Sequence, residues 1–434
     1  MNKEILRLAI PNILSNLSVP LLSTVDTALM GRQESAAYIG AVALGSLLFN
    51  FIYWSFSFLR MGTTGLTAQA FGKNDQSDVS NILGRALITA LAGSILLLLV
   101  QVPLANMSFH LLDASSTVEG FAKEYFFVRI WAAPATLGLY AVMGWFFGMQ
   151  NAVYPLILTI LINVVNIVFN IYFVNHLGMK ADGVALGTVI AQYTGLVAAI
   201  ILFRYKYFRF VKYFKRKVIF ELNALKKFLA LNRDIFLRTF CLIFAFAFFD
   251  NESARQGDVI LAVNAILLQF ISWMSYGIDG FAHASESLIG KYLGAKNKSL
   301  LIKAIRFSFL WAMGFAVLYS MAYFIFGEHL LRVFTDQENI IEQASQFLFW
   351  VVLFPIVATP SYIWDGIYIG HTASVAMRNT MVIALTVYLV FYYAQLHFLD
   401  LGNNGLWLTL LVFMFARGAV QWAWYRIKRL DFVG

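Results

Sequence analysis

Residues 47–54 read LLFNFIYW and residues 266–273 read ILLQFISW. Each is an apolar octet with one amide at its fourth position (Asn50 or Gln269) and a closing tryptophan, and the offset is 219 residues. Further on, Gly72 precedes Lys73 and Asn74, while Gly294 precedes Ala295, Lys296 and Asn297, now at an offset of 222. A three-residue insertion in the second copy reconciles the two offsets. A chain of 434 residues that resembles itself after half its length reads as a duplicated unit. With an even number of membrane crossings per copy, both copies lie the same way up, and their symmetry axis runs along the membrane normal.

The crossings follow from composition. Hydrophobic residues make up 60% of the chain and charged ones 13%, with mean hydropathy +0.72; soluble domains carry roughly 25% charged residues. Only elements whose backbone hydrogen bonds close on themselves cross a bilayer, and a helical crossing needs about 20 apolar residues. Such windows fall at 8–30, 41–71, 83–106, 123–148, 154–175 and 182–203, then at 230–250, 258–289, 303–326, 343–369, 374–396 and 403–424. The expected fold is an all-α polytopic membrane protein, with twelve transmembrane helices in two pseudo-symmetric six-helix bundles around a central cavity. Residues 1–203 form an N-terminal lobe, 204–227 a basic cytoplasmic linker with nine Lys or Arg that reads as a hinge, and 228–434 a C-terminal lobe.

The net charge of +9 does not point to nucleic acid, because the basic residues lie in loops between apolar windows and not on one soluble face. With the N-terminus inside, the inner loops hold the linker cluster together with Lys73, Lys291, Lys296, Lys298 and Arg378; the outer loops are poorer in cations and hold Asp113, Asp250, Glu252 and Asp336. Lys and Arg accumulate on the cytoplasmic side, so both termini are expected there, in a bacterial cytoplasmic (inner) membrane. Cys241 is the single cysteine, which excludes an intrachain disulfide and offers no metal pair. Residues 1–7 are short and polar, so no cleavable leader is expected. No phosphate-cradling glycine loop followed by lysine is present, nor an HExxH or GxSxG motif, which argues against direct ATP use and against an enzyme. No cofactor is expected, and the energy must come from an ion gradient.

Ionisable and amide side chains inside spans are costly and face protein or water. Asn12, Asn16, Ser23 and Asp26 share a stripe of the first helix, which Pro11 and Pro20 interrupt. A carboxylate removed from water favours its neutral form and can carry a proton, so Asp26 is a candidate coupling group. Asn163, Asn166 and Asn170 lie on one face of the fifth span, with Thr188 and Gln192 one turn apart in the sixth. These amides and hydroxyl facing Asp26 would make a hydrogen-bonded or cation-coordinating pocket; the alternative is helix–helix hydrogen bonding. In the second half Asp279, His283 and Glu286 fall at i, i+4 and i+7, and Asp365 is a further buried acid. Arg60 occupies the register of Asp279 in the first copy and could pair with an acid or bind an anionic group.

Three longer strings carry a resemblance: FLRMGTTGLTAQAFG (58–72), SYGIDGFAHASESLIG (275–290) and WDGIYIGHT (364–372). They resemble the multidrug and toxic compound extrusion (MATE) family, in its DinF-like branch, over the whole chain. The resemblance implies a secondary antiporter that exports amphipathic, often cationic compounds in exchange for H+ or Na+, acting as a monomer. It places the coupling acid at Asp26 and completes the pocket with Asn166 and Thr188. Where the family pattern has an aspartate, this chain has Asn170, which removes one carboxylate and favours H+ over Na+ as the coupling ion.

A lipid or lipid-linked-sugar flippase would share this architecture and need a cationic cavity. Arg60 with Arg129 offers a thin version of one, against an interior acidic on balance. Trp54, Arg60, Met61, Gln269 and Met274 are candidates for the cavity lining, from helix position alone. The expected partners are small amphipathic molecules and membrane lipid.

Overall fold

The computed structural model describes residues 1–30, 36–111 and 115–428, with the backbone alone at 19–24, 26–28, 30, 36 and 111. Every regular element among them is helical. The first half holds α1 (Asn2–Met30), α2 (Ala36–Ser55), α3 (Phe58–Gly72), α4 (Gln76–Leu99), α5 (Gln101–Leu111), α6 (Ser116–Arg129), α7 (Ala133–Gly148), α8 (Val153–Ile171), α9 (Ala181–Tyr207) and the short α10 (Arg216–Ile219). The second half holds α11 (Leu222–Arg255), α12 (Asp258–Gly294), α13 (Lys298–Phe334), α14 (Glu338–Gly370), α15 (Ser374–Phe398) and α16 (Gly402–Lys428). Ten helical segments are long and apolar enough to cross a membrane, two of them joining α2 to α3 and α6 to α7. With α1 and α11 the number is twelve, and the chain has the expected two-bundle helical fold.

The crossings differ in regularity. The second span turns at Phe56 and Ser57, where the amides of both residues close back on Tyr53 and Trp54 carbonyls. The fourth passes through a 3-10 turn, Ile130–Ala132, just before Pro134 in the first turn of α7. α8 ends in a π-helical turn, Tyr172–His176, a feature often found at functional sites. α1 stays helical through Pro11 and Pro20, although each proline removes a backbone donor.

The chain packs as two compact units, Leu14–Leu229, and Met1–Ile13 with Ala230–Gly434. The start of α1 is held in the second unit by polar and close contacts. Tyr292 Oη and Lys291 Nζ donate to Glu4 Oε1 at 2.8 and 3.2 Å, and Trp311 Nε1 donates to Asn2 Oδ1 at 3.1 Å. At Gly280 of α12 a Cβ would stand 3.0 Å from the Ala9 carbonyl, so only glycine lets α1 approach this closely.

In the Leu14–Leu229 unit, Trp145 is fully buried and donates its Nε1–H to the Val79 carbonyl at 2.9 Å, amid Phe203, Tyr207 and Phe210. The linker folds onto α4. Ser80 Oγ donates to Phe210 O at 3.0 Å, Arg85 Nη2 donates to Val218 O at 3.1 Å, and Asn81 Oδ1 accepts from Lys215 N at 3.1 Å. Its basic side chains stay outside while Phe210 and Ile219 are buried. Elsewhere large apolar side chains point outward: Leu99 is 76% exposed and Phe324 80%. Such faces suit lipid and not water.

Candidate functional site

The fifth and sixth crossings build the first polar site. α8 carries Asn163, Asn166 and Asn170 on one stripe, and the last two are buried against α9. Asn170 Nδ2 donates to Asn166 Oδ1 at 3.0 Å, Asn166 Nδ2 donates to Thr188 Oγ1 at 3.0 Å, and Thr188 Oγ1 donates to the Val184 carbonyl at 3.0 Å. The three side chains form one relay whose donors all point toward the α9 backbone. Gly187 makes room for it, because a methyl there would overlap Asn170 Oδ1. One turn away, Asn163 Nδ2 donates to Ser18 Oγ of α1 at 2.9 Å, and Ser18 Oγ donates to Ser15 O. Thus α1 and α8 are tied by side chains in the same unit. The side chain of Asp26 lies outside the described residues, as does that of Ser23. Gln192 is half-buried on α9.

The acids of the second half do not form one cluster. His283 Nδ1 lies 3.5 Å from Glu286 Oε2, with Glu286 buried in α12. Asp279 is half-buried on the same helix, and one turn before it Ser275 Oγ shares a 2.7 Å hydrogen bond with Tyr362 Oη of α14. Asp365 of α14 belongs to a different constellation. Its Oδ2 accepts from Arg238 of α11 and, at 2.7 Å, from Arg417 of α16, while its Oδ1 accepts from Gln421 Nε2 at 2.7 Å. Both arginines and the aspartate are buried. One carboxylate therefore serves two guanidinium groups, and α11, α14 and α16 are joined by a hydrogen-bonded ion triad.

Several of these residues escaped the sequence reading. Arg238, Arg417 and Gln421 stand inside apolar windows, and weighing every charge in a span would have exposed the arginines. Asp234, also buried, accepts from Arg378 Nη1 at 2.8 Å and from Ser374 Oγ at 3.1 Å. Asn264 bonds reciprocally with Asn403, and also with Ser253 and Trp407. Glu252 accepts from Tyr392 Oη at 2.6 Å. Spacing along one helix carries no signal for such cross-helix pairs.

The cavity candidates separate by exposure. Trp54 is 46% exposed, Gln269 is exposed, and Arg60 and Met61 are half-buried. Arg60 also stands 5.9 Å from the Phe147 ring centroid. Met274 is fully buried in the apolar core of the second unit. It faces inward because the α12 stripe holding Leu267, Phe270, Ile271 and Ile278 packs there, so its side chain lines no open surface.

Known proteins share the helical architecture. The MatE family model matches residues 11–172 and again 236–396, one copy in each half. The DNA damage-inducible protein F of Escherichia coli strain K12 is 36% identical over 418 residues, covering 96% of this chain and 90% of that protein. A probable multidrug resistance protein NorM of Bacillus anthracis is 23% identical, covering 94% and 92%. Among solved structures, the outward-facing conformation of a multidrug resistance MATE family transporter of the MOP superfamily superposes with a TM-score of 0.90 at 19% identity, covering 98% of this chain and 95% of that one. The duplicated helical bundle, the doubled family match and the DNA damage-inducible protein F relative agree, and the chain belongs to the MatE family of multidrug efflux transporters.

Proposed function

We propose that this transporter is a proton-driven antiporter that exports amphipathic organic compounds with cationic groups, coupled at Asp26 and the amide relay of α8 and α9. The supporting observation is the relay itself, Asn170 to Asn166 to Thr188 to Val184 O, its two amides buried and its donors polarised in one direction. An amide can present either its oxygen or its NH2 to a neighbour. A carboxylate that gains a proton changes from acceptor to donor, so the amide facing it must turn, and the relay passes that change to α9. Asn170 supplies no charge where an aspartate would, which weakens the site for Na+ and leaves the proton as the coupling ion.

The cycle follows. Facing outward, Asp26 takes a proton and loses its charge, α1 bends near Pro11 and Pro20, and cargo leaves the first unit. The protein then turns inward and the proton is released to the cytoplasm. Proton and cargo each shift this equilibrium only by their differential affinity for the two states. The protein acts as a monomer in the bacterial cytoplasmic membrane with both termini inside.

Proteoliposomes with an imposed pH gradient or an imposed Na+ gradient test the reading. Export of a fluorescent organic cation should follow the pH gradient and vanish in Asp26→Asn. Sodium-driven export that survives this substitution would overturn the assignment. Asn170→Asp, which restores a second carboxylate, should make export sensitive to Na+.

A further inference from the structure

The basic segment after α9 has a fixed shape. Phe208–Tyr213 is a 3-10 helix, in which side chains three residues apart stand one above the other. It therefore has three faces. Phe210 and Tyr213 pack into the core of the Leu14–Leu229 unit. Phe208 and Val211 face outward, 56% and 44% exposed. Arg209 and Lys212 make the third face and are exposed as well. Bonds to α4 through Phe210 O, the Lys215 amide and Val218 O hold this arrangement. To either side of the 3-10 helix, Tyr205, Phe220 and Leu222 also present apolar surface outward.

The charge of the segment is one-sided. Residues 204–227 hold nine Lys or Arg, every one exposed, against a single acid, Glu221. Among the described residues no ion pair uses any of the nine. Arg85, Arg238, Arg378 and Arg417 of other segments each hold a carboxylate. Depth supplies the second observation. α9 has 27 residues, about 40 Å at 1.5 Å per residue, against a hydrocarbon layer of about 30 Å. A crossing of that length ends among the headgroups and delivers the linker there. Side chains so apolar and so exposed suit water poorly, and cations so dense do not enter hydrocarbon. The headgroup layer accepts both, with the apolar face at the acyl boundary and the basic face at the phosphates.

We propose that residues 204–227 are a binding surface for anionic phospholipid. Phe208 and Val211 enter the boundary between headgroups and acyl chains, while Arg209, Lys212 and Lys215 take the phosphates. A net-anionic headgroup such as phosphatidylglycerol fits the nine unanswered cations, whereas in phosphatidylcholine the headgroup's own cation already answers its phosphate. The occupant is a lipid and not a soluble phosphate, because a soluble anion makes no use of the exposed apolar face. The surface is built from the linker and α4, so it stands whichever ion drives export and whatever the cargo.

The test reconstitutes the full chain in phosphatidylcholine bilayers with a trace of spin-labelled phosphatidylglycerol or spin-labelled phosphatidylcholine. Electron spin resonance gives the motionally restricted fraction of each label, and so their relative association. One basic side chain near an anionic surface is worth about fivefold. The wild type should therefore favour phosphatidylglycerol by about fivefold or more at about 0.1 M salt, and far less at about 1 M. Arg209→Gln, Lys212→Gln and Lys215→Gln together should cut the preference by at least about threefold. Removing three other exposed cations, by Lys296→Gln, Lys303→Gln and Arg306→Gln, should change it by less than about twofold. Phe208→Ser with Val211→Ser keeps every charge, should lower the preference by about twofold or more, and serves if the linker triple variant does not fold. Equal association of the two labels with the wild type, equal losses in the two triple variants, or a full preference kept without the two apolar side chains overturns the surface. So does displacement of labelled phosphatidylglycerol by soluble polyglutamate, which would make the linker a surface for an acidic protein.

Discussion

Replacing Asp365 separates a structural counterion from a coupling acid. The carboxylate accepts from Arg238, Arg417 and Gln421, all three buried or nearly so. In Asp365→Asn one oxygen still accepts, but the new NH2 faces guanidinium donors and two positive charges lose their only shared anion. Removing one partner of a buried pair costs about 3–5 kcal/mol. At about 2–4 °C per kcal/mol for a unit of this size, the melting temperature should fall by roughly 10 °C. Fluorescence-detected size-exclusion after heating measures this in detergent. If the triad is structural, replacing all three charges together (Asp365→Leu, Arg238→Met, Arg417→Met) should recover most of the loss, because apolar side chains of similar volume can substitute for buried ion networks. The triple variant should also keep a pH-gradient response in proteoliposomes. The reasoning is refuted if Asp365→Asn melts like the wild type yet no longer transports in response to the pH gradient, since Asp365 would then be a carrier of the coupling ion.

Three further outcomes follow from the packing. Gly187→Ala and Gly405→Ala each place a methyl against a buried amide, Asn170 in one unit and Gln395 in the other; both should lose about 1–3 kcal/mol by overpacking, but only Gly187→Ala should alter the pH dependence of export. Arg85→Ala removes the bond to Val218 O and the 3.6 Å pairing with Asp78, so trypsin should cut at Arg216 or Lys217 several-fold faster, for a loss of about 1 kcal/mol. Gly280→Ala pushes α12 from the Ala9 carbonyl, and detergent melting should detect a loss of about 1–3 kcal/mol.

The helical fold was legible because lipid imposes one rule on every crossing, and a window of about 20 apolar residues is the direct imprint of that rule. The α8 stripe was legible for a similar reason: Asn163, Asn166 and Asn170 share one helix, and the 3.6-residue period brings them to one face. The partners of Asp365 were not, because Arg238 lies 127 residues before it and Arg417 52 residues after it, and helix periodicity says nothing about which helices pack. Hence Asp279, His283, Glu286 and Asp365 read as one polar cluster, while the fold gives Asp365 two cations from other helices and sets His283 Nδ1 3.5 Å from Glu286. Linker composition showed only the outer side of that segment. Nine cations in residues 204–227 signal exposure, yet Phe210 and Ile219 anchor the segment because α4 offers donors and an acceptor to its backbone.

The two halves descend from one pattern but have been given opposite electrostatic bookkeeping. In the second unit three buried acids have fixed donors, Asp365 in two arginines, Asp234 in Arg378, and Glu252 in Tyr392 and Arg255, while Glu286 lies 3.5 Å from His283. Such matching fixes helices against each other and leaves little for a visiting ion or substrate to gain. In the first unit the ion pairs among described residues sit near helix starts, Arg85 with Asp78 and Lys123 with Glu119, while the interior keeps a neutral amide relay and Arg129 bonded to the Ser46 and Tyr125 hydroxyls. A group balanced by its own fold has no reason to respond to a ligand, whereas one whose balance is incomplete gains free energy only when the missing charge arrives. That difference, and not the shared helical plan, is what the proposed placement of proton coupling in the first unit draws on. Asn166→Ala and Asp365→Asn therefore form a crossed pair. The first should alter the pH dependence of export more than the melting temperature, the second should do the reverse, and the same phenotype from both would remove the basis for the division.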